Sequence, residues 1–464
     1  MSARPRARIV LYNPQAVFFT LPLALLAIGS ELDPELYEVI IVDGRLEADP
    51  VAAVLAQLEG ALCLGVTVLT GRPIVDAVEV SRAAKRAHPD LPVIWGGWHP
   101  SMFARECLAE PSVDVSVQGQ GEATFVEIVQ RLREGRSLDG CAGCTVRLAD
   151  GSIRANPPRA LQQVNAFREH DYGLIPMERY FALKGKRQLD FISSQGCNFR
   201  WAFCSDPFVY GRKWVGLDPV RMAQRLAELW RRYRFDDVNF QDETFFTKRN
   251  RVEAFAEAIV ASDMTVTWAA TMRADQGVRL PDEVWDLCKR SGLRRLLVGV
   301  ESGSNEMLRR IRKDVTIEQI EHTAETMLAH GIAGHFPFIV GFPDESDASI
   351  EATLAFARKL RSMSPDFLTP IFYFKPYPGS DIVRDAVARG YRLPETLEEW
   401  SSFDYVQGEP GPWVSPEKFR LIERFKFFHE LAWKRASPAS RPFQQLARYR
   451  CRRNQGHRET RTRC

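Results

Sequence analysis

The sequence lacks the features that mark several common classes of protein. Its nine cysteines are few for 464 residues and odd in number, which argues against a secreted disulfide framework. The apolar stretch 16–29 is too short to span a bilayer, and no small-x-small cleavage site follows it. No transmembrane segment or signal peptide is therefore predicted, and a cytoplasmic location is expected. No G-x-G-x-x-G follows the first predicted strand, so a dinucleotide is not indicated.

What is present is the composition of a soluble globular protein. Apolar residues make up 45% of the chain and charged residues 26%, and the net charge is +3. A chain of this length is too long for one ordinary core, so two domains with extensions are predicted. The predicted division is an α/β domain over 1–135, a hairpin linker over 136–185, a second α/β domain over 186–390, a helical segment over 391–440 and an arginine-rich tail over 441–464.

Short apolar runs alternate with helical patterns in the first domain. Strands are predicted at 8–12, 37–42, 62–68, 92–95 and 113–117, and helices at 50–59 and 74–87. This alternation predicts a doubly wound, Rossmann-like parallel sheet with a ligand at the carboxyl ends of its strands. In the linker, Asp150-Gly151 indicates the turn of a small hairpin over 138–159.

The carboxyl ends of three of these strands carry distinctive loops, which include Gly96-Gly97 and Gly119-x-Gly121. Such glycines let a backbone lie close to a bulky ligand. The set resembles the cobalamin-binding domain that precedes the radical S-adenosylmethionine (SAM) core in one large subclass of that superfamily. The resemblance implies a cobalamin site formed by Thr67, Leu69, Gly96, Gly97, His99, Gln118, Gly119, Gly121 and Glu122.

The sequence departs from many cobalamin domains after the second strand. Many of them have Asp-x-His-x-x-Gly there, with a histidine that ligates cobalt, whereas this chain has Asp43-Gly44-Arg45. Cobalamin would then have no histidine ligand from this loop. His99 is the one histidine in the predicted loops, and a packing role is favoured for it over ligation. Cys141 and Cys144 resemble half a zinc site without a second half, so they are interpreted as structural.

Strand–helix alternation restarts near residue 187 and continues for about six units. The first strand leads into a loop with Cys197 and Cys204, seven residues apart. Later strands end in Gln241-Asp242-Glu243, Arg273, Gly-x-Glu301-Ser-Gly-Ser, Gly341-Phe-Pro and Pro-Tyr-Pro-Gly-Ser. Ligand sites of α/β barrels lie at such carboxyl ends.

In this order, the strand endings closely resemble the partial (β/α)6 barrel of the radical SAM superfamily over residues 186–390. In that family a Cys-x3-Cys-x2-Cys loop holds three irons of a 4Fe–4S cluster, and the fourth iron binds SAM. The resemblance implies iron ligation by Cys197 and Cys204. It implies contacts with SAM by Phe203 (adenine), Asp242 and Glu243 (amino group), Arg273 (carboxylate), Glu301 and Ser302 (ribose) and Gly341 (adenine).

Trp201 stands where the family has its middle cysteine. Indole offers iron no lone pair, so it cannot replace a thiolate. Three explanations stay open: the cluster is lost, another ligand such as Asp206 or a distant cysteine replaces the thiolate, or the tryptophan arose by a mutation or a sequence error. Cys288, on a predicted helix over 282–291, is expected to lie away from the site.

Beyond the barrel, a capped helix is predicted near 393–400 and an amphipathic helix from Ser415 to about Arg435. In the family such a segment closes the open side of the barrel; simple packing on the core is slightly favoured here. The tail holds eight arginines and one acid, Glu459. It is expected to be solvated and poorly ordered rather than to bind nucleic acid.

The resemblance implies a cobalamin-dependent radical SAM enzyme whose cofactors are a 4Fe–4S cluster, SAM and cobalamin. Cleavage of SAM would give a 5′-deoxyadenosyl radical, and methylcobalamin would methylate an unactivated carbon of a small molecule or lipid-type metabolite. An electron donor such as flavodoxin or ferredoxin is implied as a partner. The alternatives are a ring-forming cyclase of the tetrapyrrole type, a homologue that binds cobalamin or SAM as a sensor or scaffold, and, more weakly, a nucleic-acid modifier that uses the arginine tail.

Overall fold

The structure is a computed structural model that describes residues 6–16, 19–377, 379–403, 410–433 and 441–453. The first domain is a parallel sheet with helices on both faces, as predicted. In spatial order its parallel strands are β2, β1, β3, β4 and β5. Their bounds are β1 Ala7–Asn13, β2 Tyr37–Asp43, β3 Ala61–Thr67, β4 Val93–Gly96 and β5 Val115–Val117. The helices are α1 Leu23–Glu31, α2 Pro50–Leu55, α3 Pro73–Ala87, α4 Trp98–Met102, α5 Ala104–Ala109 and α6 Glu122–Arg133.

Alternate residues of the interior strand β1 enter cores on opposite faces of this sheet. Ile9 and Leu11 pack with the α1 and α6 side, whereas Val10 and Tyr12 pack with the α2 and α3 side, and all four are fully buried. A strand covered on both faces reads as a continuous apolar run, which is why the sequence pattern predicted it well.

The predicted hairpin is present as β6 Cys144–Arg147 and β7 Ile153–Ala155, and it extends the sheet antiparallel to β5. Cys141 and Cys144 are both buried at its base, where the Cys144 thiol donates to the Cys141 carbonyl at 3.3 Å. Among the described residues no group of ligands suited to a single metal ion is found. The linker continues through α7 Met177–Lys184 into the second domain.

The second domain is an open barrel of six parallel strands. Their order is β8 Gln188–Phe191, β11 Asp237–Phe240, β12 Thr267–Met272, β13 Leu293–Val298, β14 Ala333–His335 and β16 Phe367–Leu368. A hairpin of β9 Ser194–Gly196 and β10 Trp214–Gly216 brackets the cysteine loop. The helices are α8 Asp206–Val209, α9 Pro219–Tyr233, α10 Arg249–Val260, α11 Ala274–Arg279, α12 Asp282–Arg290, α13 Asn305–Arg310, α14 Ile317–Ala329, α15 Asp347–Met363 and α16 Asp381–Ala388.

The fifth and sixth strands of the barrel are each divided at a proline. Pro337 follows β14, and Pro370 follows β16. Beyond them, β15 Phe338–Val340 and β17 Ile371–Tyr373 pair with each other as a separate parallel ribbon. Proline has no backbone N–H to donate to a ladder, so each strand is interrupted there.

The C-terminal helices are α17 Leu397–Ser401, α18 Pro416–Trp433 and α19 Arg441–Arg453. In α18, Ile422 and Phe425 are buried in the barrel core. In α17, Leu397 and Trp400 instead pack in the core of the first domain, on the α3 side. The segment beyond the barrel therefore contacts both domains.

The prediction of a poorly ordered tail is wrong for residues 441–453. They form α19, which packs on α18 through the buried residues Ala432, Ala447 and Cys451. A face of small residues permits this packing despite the many arginines. Residues 454–464 lie outside the described residues. Within the described ranges, no helix has both the length and the apolar character needed to cross a membrane.

Candidate active site

A cavity of about 340 Å³ lies where the strand ends of the first domain face the second domain. The first domain contributes residues that follow β1, β3, β4 and β5, together with α1. The second domain contributes Ile192, Gln195, Tyr210, Gln241 and Glu243. Glu243, one of the residues predicted to bind SAM, thus lines the same cavity as the strand ends of the first domain.

Most residues predicted to hold cobalamin line this cavity. They are Thr67, Leu69, Gly96, Gly97, Gly119, Gly121 and Glu122. Gly97 has φ 101°, and a Cβ there would lie 3.1 Å from both Thr67 Oγ1 and the Val68 carbonyl oxygen. Gly119 also has a positive φ, 68°. The backbone at these positions therefore requires glycine and leaves the cavity floor flat.

The structure places two of the predicted cobalamin residues elsewhere. His99 is fully buried against Phe103 and Trp400, and its Nδ1 lies 3.2 Å from Thr70 Oγ1. In α4, Trp98 faces the cavity, and the next residue is rotated by about 100° into the core. Burial lowers the pKa of His99 to about 3, so the ring is neutral. His99 does not line the cavity, and its predicted contact with cobalamin stays a prediction.

Gln118 is the second residue that lies outside the cavity lining. Its amide donates to the Ser116 carbonyl at 2.9 Å and to Thr145 Oγ1 at 3.1 Å. Gln118 therefore joins β5 to the hairpin strand β6. The sequence pattern did not reveal this role, because it did not show that β6 pairs with β5.

The loop after β2, which lacks the cobalt-binding histidine, is occupied by contacts within the protein. Asp43 forms a buried ion pair with Arg45 at 2.6 Å and accepts a hydrogen bond from Tyr180 of α7 at 2.6 Å. These contacts anchor the linker helix to the first sheet. They agree with the inference that no histidine ligand comes from this loop.

A chain of amides joins the two domains across the cavity. Gln195 donates to Glu122 at 2.6 Å and accepts from Gln120 at 2.7 Å. Burial raises the pKa of Glu122, and the hydrogen bond from Gln195 opposes that shift. Sequence reasoning missed Gln195, since a single glutamine after a strand carries no distinguishing pattern.

Both predicted iron ligands lie in the loop between β9 and α8. The backbone N–H of Phe199 lowers the pKa of Cys197 and that of Asp206 lowers the pKa of Cys204, so both favour the thiolate form. Burial nevertheless raises the pKa of Cys197 to about 11 and that of Cys204 well above its ordinary value. Thiols with such raised pKa values are neutral unless a cation is present.

Trp201, at the middle position, forms an aromatic stack with its neighbours. Its ring centroid lies 5.6 Å from that of Phe199 and 6.2 Å from that of Phe203, with interplanar angles of 12° and 14°. The Lys313 ammonium lies 4.1 Å from the centre of the indole. A cation over an indole face is attractive. The tryptophan thus has packing partners of its own beside the two thiols.

Lys313, which the sequence analysis missed, is fixed by a buried ion pair. Its Nζ lies 2.7 Å from Glu301 Oε1, and the two side chains are 2% and 10% exposed. Glu301 has φ 65°, and the residues flanking Lys313 have φ 52° and 54°. Non-glycine residues adopt this left-handed region only where their surroundings enforce it. Glu301 is therefore committed to the lysine.

Other predicted SAM residues also have partners within the protein. Asp242 is 2% exposed and accepts from the Ser193 N–H and from the Ser193 and Ser194 hydroxyls, at 2.8, 2.6 and 2.5 Å. The Ser302 hydroxyl lies 3.2 Å from Thr353 Oγ1. The Gly341 N–H donates to Glu345, and its carbonyl accepts from Trp413 Nε1. These groups position loops of the site.

Two predicted SAM residues keep buried polar atoms without a hydrogen-bond partner. Glu243 lines the cavity, and its Oε2 is unpartnered, as is Nη1 of Arg273. Burial raises the pKa of Glu243 well above its usual range, and repulsion from Asp206 adds to the shift. A carboxylate and a guanidinium with free atoms suit the ammonium and the carboxylate of an amino acid.

Comparison with known proteins agrees with this arrangement of domains. Two family models match the chain: the B12 binding domain over residues 10–129 and the Radical SAM superfamily over residues 191–357. An uncharacterized methyltransferase of Pyrococcus horikoshii is 30% identical over 393 residues, which cover 83% of this chain and 82% of that protein. The chain belongs to the cobalamin-binding radical SAM enzymes.

Further radical SAM proteins resemble the chain. The anaerobic magnesium-protoporphyrin IX monomethyl ester cyclase of Synechocystis is 26% identical over 76% of this chain and 70% of that protein. The radical SAM methyltransferase TsrM of Kitasatospora setae, solved with its tryptophan substrate and a SAM analog, superposes with a TM-score of 0.75 at 17% identity. That match covers 93% of this chain and 89% of TsrM.

As a member of this family, the enzyme uses three cofactors: a 4Fe–4S cluster, SAM and cobalamin. The residues present fit cobalamin and SAM, and they fit the cluster in part. The glycine-floored cavity suits a corrin ring, and the unpartnered atoms of Glu243 and Arg273 suit SAM. In the cysteine loop, the backbone N–H groups of Phe199 and Asp206 favour the thiolate forms that iron requires. It supplies only two thiolates, which is one fewer than the family pattern.

Proposed function

We propose that this protein is a cobalamin-dependent radical SAM methyltransferase that acts on an unactivated carbon of a small molecule. The observation that carries the proposal is the single cavity onto which the glycine loops of the first domain and Glu243 of the second both open. Methyl transfer is favoured over cyclisation because the Pyrococcus relative, which covers most of both chains, is named a methyltransferase.

Cobalamin would lie against Gly97, Gly119 and Gly121, where side chains are absent. Its lower face would have no histidine ligand, since His99 is turned into the core and the Asp43 loop is occupied by Arg45 and Tyr180. Tyr210 and Trp98, whose rings meet edge to face at 5.9 Å, would also border the bound cobalamin, since both line the cavity.

SAM would lie at the mouth of the barrel. Glu243 would accept hydrogen bonds from its ammonium group, and Arg273 would donate through Nη1 to its carboxylate. Arg273 is held for this by Asp275 at 2.8 Å and by the Asp314 carbonyl at 3.1 Å. Phe203 would offer a ring face to adenine. When bound, the cluster supplies an electron for SAM cleavage, and cobalamin carries the methyl group.

The remaining proposals concern the surroundings of the enzyme. An electron donor of the flavodoxin or ferredoxin type would reduce the cluster, and the cytoplasm is the compartment that provides such donors. The substrate would be a small molecule or a lipid-type metabolite admitted to the cavity between the domains.

The proposal is tested with the full chain, reconstituted anaerobically with iron, sulfide and hydroxocobalamin. One expects tight binding of hydroxocobalamin and reductant-dependent formation of S-adenosylhomocysteine and 5′-deoxyadenosine from SAM. Glu243→Gln should weaken SAM binding about tenfold, since a charge-assisted hydrogen bond contributes roughly 1.5–3 kcal/mol. Glu417→Gln, which alters an exposed carboxylate paired with Arg420, is the matched control. Absence of cobalamin binding would refute the proposal.

A further inference from the structure

One side of the C-terminal helix α19 fixes it to the rest of the protein. Ala447 and Cys451 of this helix are almost fully buried against Ala432 of α18. The Arg448 Nε donates to the Ala432 carbonyl at 3.0 Å, and Arg358 of α15 donates to the Cys451 carbonyl at 3.0 Å. Because these contacts use one side of α19, the opposite side is left for solvent or for a partner.

The outer sides of α18 and α19 carry large apolar side chains. On α19, Phe443, Leu446 and Tyr449 are 73%, 51% and 49% exposed. Residues three apart are neighbours on a helix surface, so these side chains form one stripe. On α18, Phe427 and Leu431 are 61% and 38% exposed and stand four residues apart, on one side of that helix. Five large apolar side chains thus remain exposed on one pair of helices.

The exposed sides of the two helices adjoin each other. Arg450 follows Leu446 by four residues, so both lie on one side of α19. The Arg450 guanidinium lies 5.8 Å from the centre of the Phe428 ring of α18, and that ring lies 5.4 Å from the Phe427 ring, centre to centre. We call the surface that these contacts join the hairpin surface. Its members are Phe427, Leu431, Phe443, Leu446, Tyr449 and Arg450. Contiguous exposed apolar surface marks a site of interaction.

The charge of this region is strongly positive. Helix α19 has five arginines and no acidic residue, and residues 441–464 together have eight arginines and one acid. The rest of the chain has 54 basic and 58 acidic residues, so the excess of positive charge is concentrated here. Arg448 and Arg450 contact a carbonyl and aromatic rings, and neither forms an ion pair with a carboxylate of the described residues.

Apolar and cationic groups on one exposed helix face suit the interface of a bilayer. Apolar side chains enter the boundary with the acyl chains, and arginines contact the phosphate headgroups. A nucleic acid would use the arginines but would leave Leu431 and Leu446 without partners, since leucine has no ring on which a base stacks. A second copy of the chain would bring the same arginines against one another, and such like charges oppose association.

We propose that the hairpin surface binds a membrane whose surface contains anionic phospholipids. Binding of this kind places α18 and α19 on the bilayer and not across it. No cofactor takes part, so the inference does not depend on the proposed function. Association with a bilayer would bring the enzyme to lipid-type metabolites, which are one of the substrate classes proposed above.

The experiment measures co-sedimentation of the full-length protein with vesicles. Vesicles of phosphatidylglycerol mixed with phosphatidylcholine are compared with vesicles of phosphatidylcholine alone. The unsubstituted chain should bind the anionic vesicles about tenfold more tightly, because each arginine near an anionic surface adds to the attraction. Salt at about 1 M, which shortens the Debye length to about 3 Å, should weaken that binding.

Two variants separate the apolar part of the surface from its charge. Phe443→Ser/Leu446→Ser retains every arginine and should weaken binding to the anionic vesicles about tenfold. Arg450→Gln should weaken it roughly fivefold. Val220→Ser/Leu328→Ser is the matched control, since these side chains are 48% and 43% exposed on α9 and α14, and its binding should not change. All five positions are exposed, so the far-UV circular dichroism of the variants should equal that of the unsubstituted chain.

Failure of the unsubstituted chain to bind the anionic vesicles would overturn the proposal, as would equal binding by Phe443→Ser/Leu446→Ser. Binding to a single-stranded RNA that exceeds vesicle binding, persists in that double variant and is lost in Arg450→Gln would also overturn it and assign the surface to nucleic acid. A dimer that the double variant abolishes, without vesicle binding, would assign the surface to a second copy. Hydroxocobalamin binding is measured on every sample. Vesicle binding by a chain that does not bind cobalamin would uphold the membrane surface and reject the proposed function.

Discussion

The two halves of the cavity are constructed in different ways. In the first domain the surface is shaped by backbone, with Gly97 and Gly119 held at positive φ. In the second domain it is shaped by buried charges, with Glu301 paired to Lys313 and Asp242 enclosed by three donors. The backbone surface is suited to a large flat ligand, whereas the charged surface is suited to a small ligand with an ammonium and a carboxylate. Substitutions on the two sides of the cavity should therefore have different effects on stability and on ligand affinity.

The largest effect is expected on the charged side, for Lys313→Met. This change keeps the length of the side chain but leaves Glu301 buried without its cation. Breaking a buried pair in this way costs about 3–5 kcal/mol. Urea unfolding of the full chain measures the free energy of unfolding. Arg312→Met is the matched control, because Arg312 pairs with Asp381 at the surface, with 51% and 36% of the two side chains exposed. That pair contributes about 0–1 kcal/mol; equal losses in the two variants would show that the buried pair is not special.

The next effect is expected on the backbone side, for Gly97→Ala. The new Cβ would meet Thr67 and the Val68 carbonyl at 3.1 Å in a left-handed conformation. We expect a loss of about 1–3 kcal/mol in stability and at least a tenfold weaker affinity for hydroxocobalamin. The affinity is measured by titration with absorbance detection. Gly60→Ala is the control: Gly60 has φ 69° but open space around its Cβ position, so the affinity should not change. Unchanged affinity in Gly97→Ala would contradict the assignment of this loop.

The smallest effect at neutral pH is expected for His99→Phe. The phenyl ring can occupy the space beside Phe103 and Trp400, and only the contact with Thr70 is lost, at about 1 kcal/mol. The absorbance spectrum of bound cobalamin should not change, because His99 does not line the cavity. A changed spectrum would instead indicate that His99 contacts cobalamin.

His99 also predicts a dependence of stability on pH. Burial lowers its pKa from 6.5 to about 3, so protonation favours the unfolded chain. Above pH 6.5 the ring is neutral in both states and does not lower the free energy of unfolding. As the pH falls from 6.5 toward 3, the free energy of unfolding decreases by about 1.4 kcal/mol per pH unit. Urea unfolding at pH 7 and pH 5 should show a steeper acid loss for the unsubstituted protein than for His99→Phe. Parallel losses would contradict this assignment.

The first sheet and most of the barrel could be predicted because their strands are continuous apolar runs. The five strands of the first sheet were placed within two residues, and the hairpin turn at Asp150-Gly151 was correct. The division of two barrel strands was not foreseen, although Pro337 and Pro370 indicated it. The helix over 441–453 was not predicted, because the many arginines indicated a solvated tail. The small residues Ala447 and Cys451, which pack against α18, did not stand out in the sequence.

The site was predicted less completely than the fold. Positions determined by backbone, such as Gly97, were placed in the cavity, whereas side chains whose partners come from distant segments were not. His99 and Gln118 are examples, since Trp400 and Thr145 lie far from them in sequence. Lys313 and Gln195 were missed for the same reason, because only the folded chain brings Glu301 and Glu122 to them.

The most direct test of the shared cavity is an experimental structure of the full chain with hydroxocobalamin and SAM bound together. The account predicts the corrin ring against Gly97, Gly119 and Gly121, and the SAM ammonium beside Glu243, with both ligands opening onto one space between the domains. Cobalamin bound away from these glycines, or SAM separated from it by the barrel wall, would contradict the account.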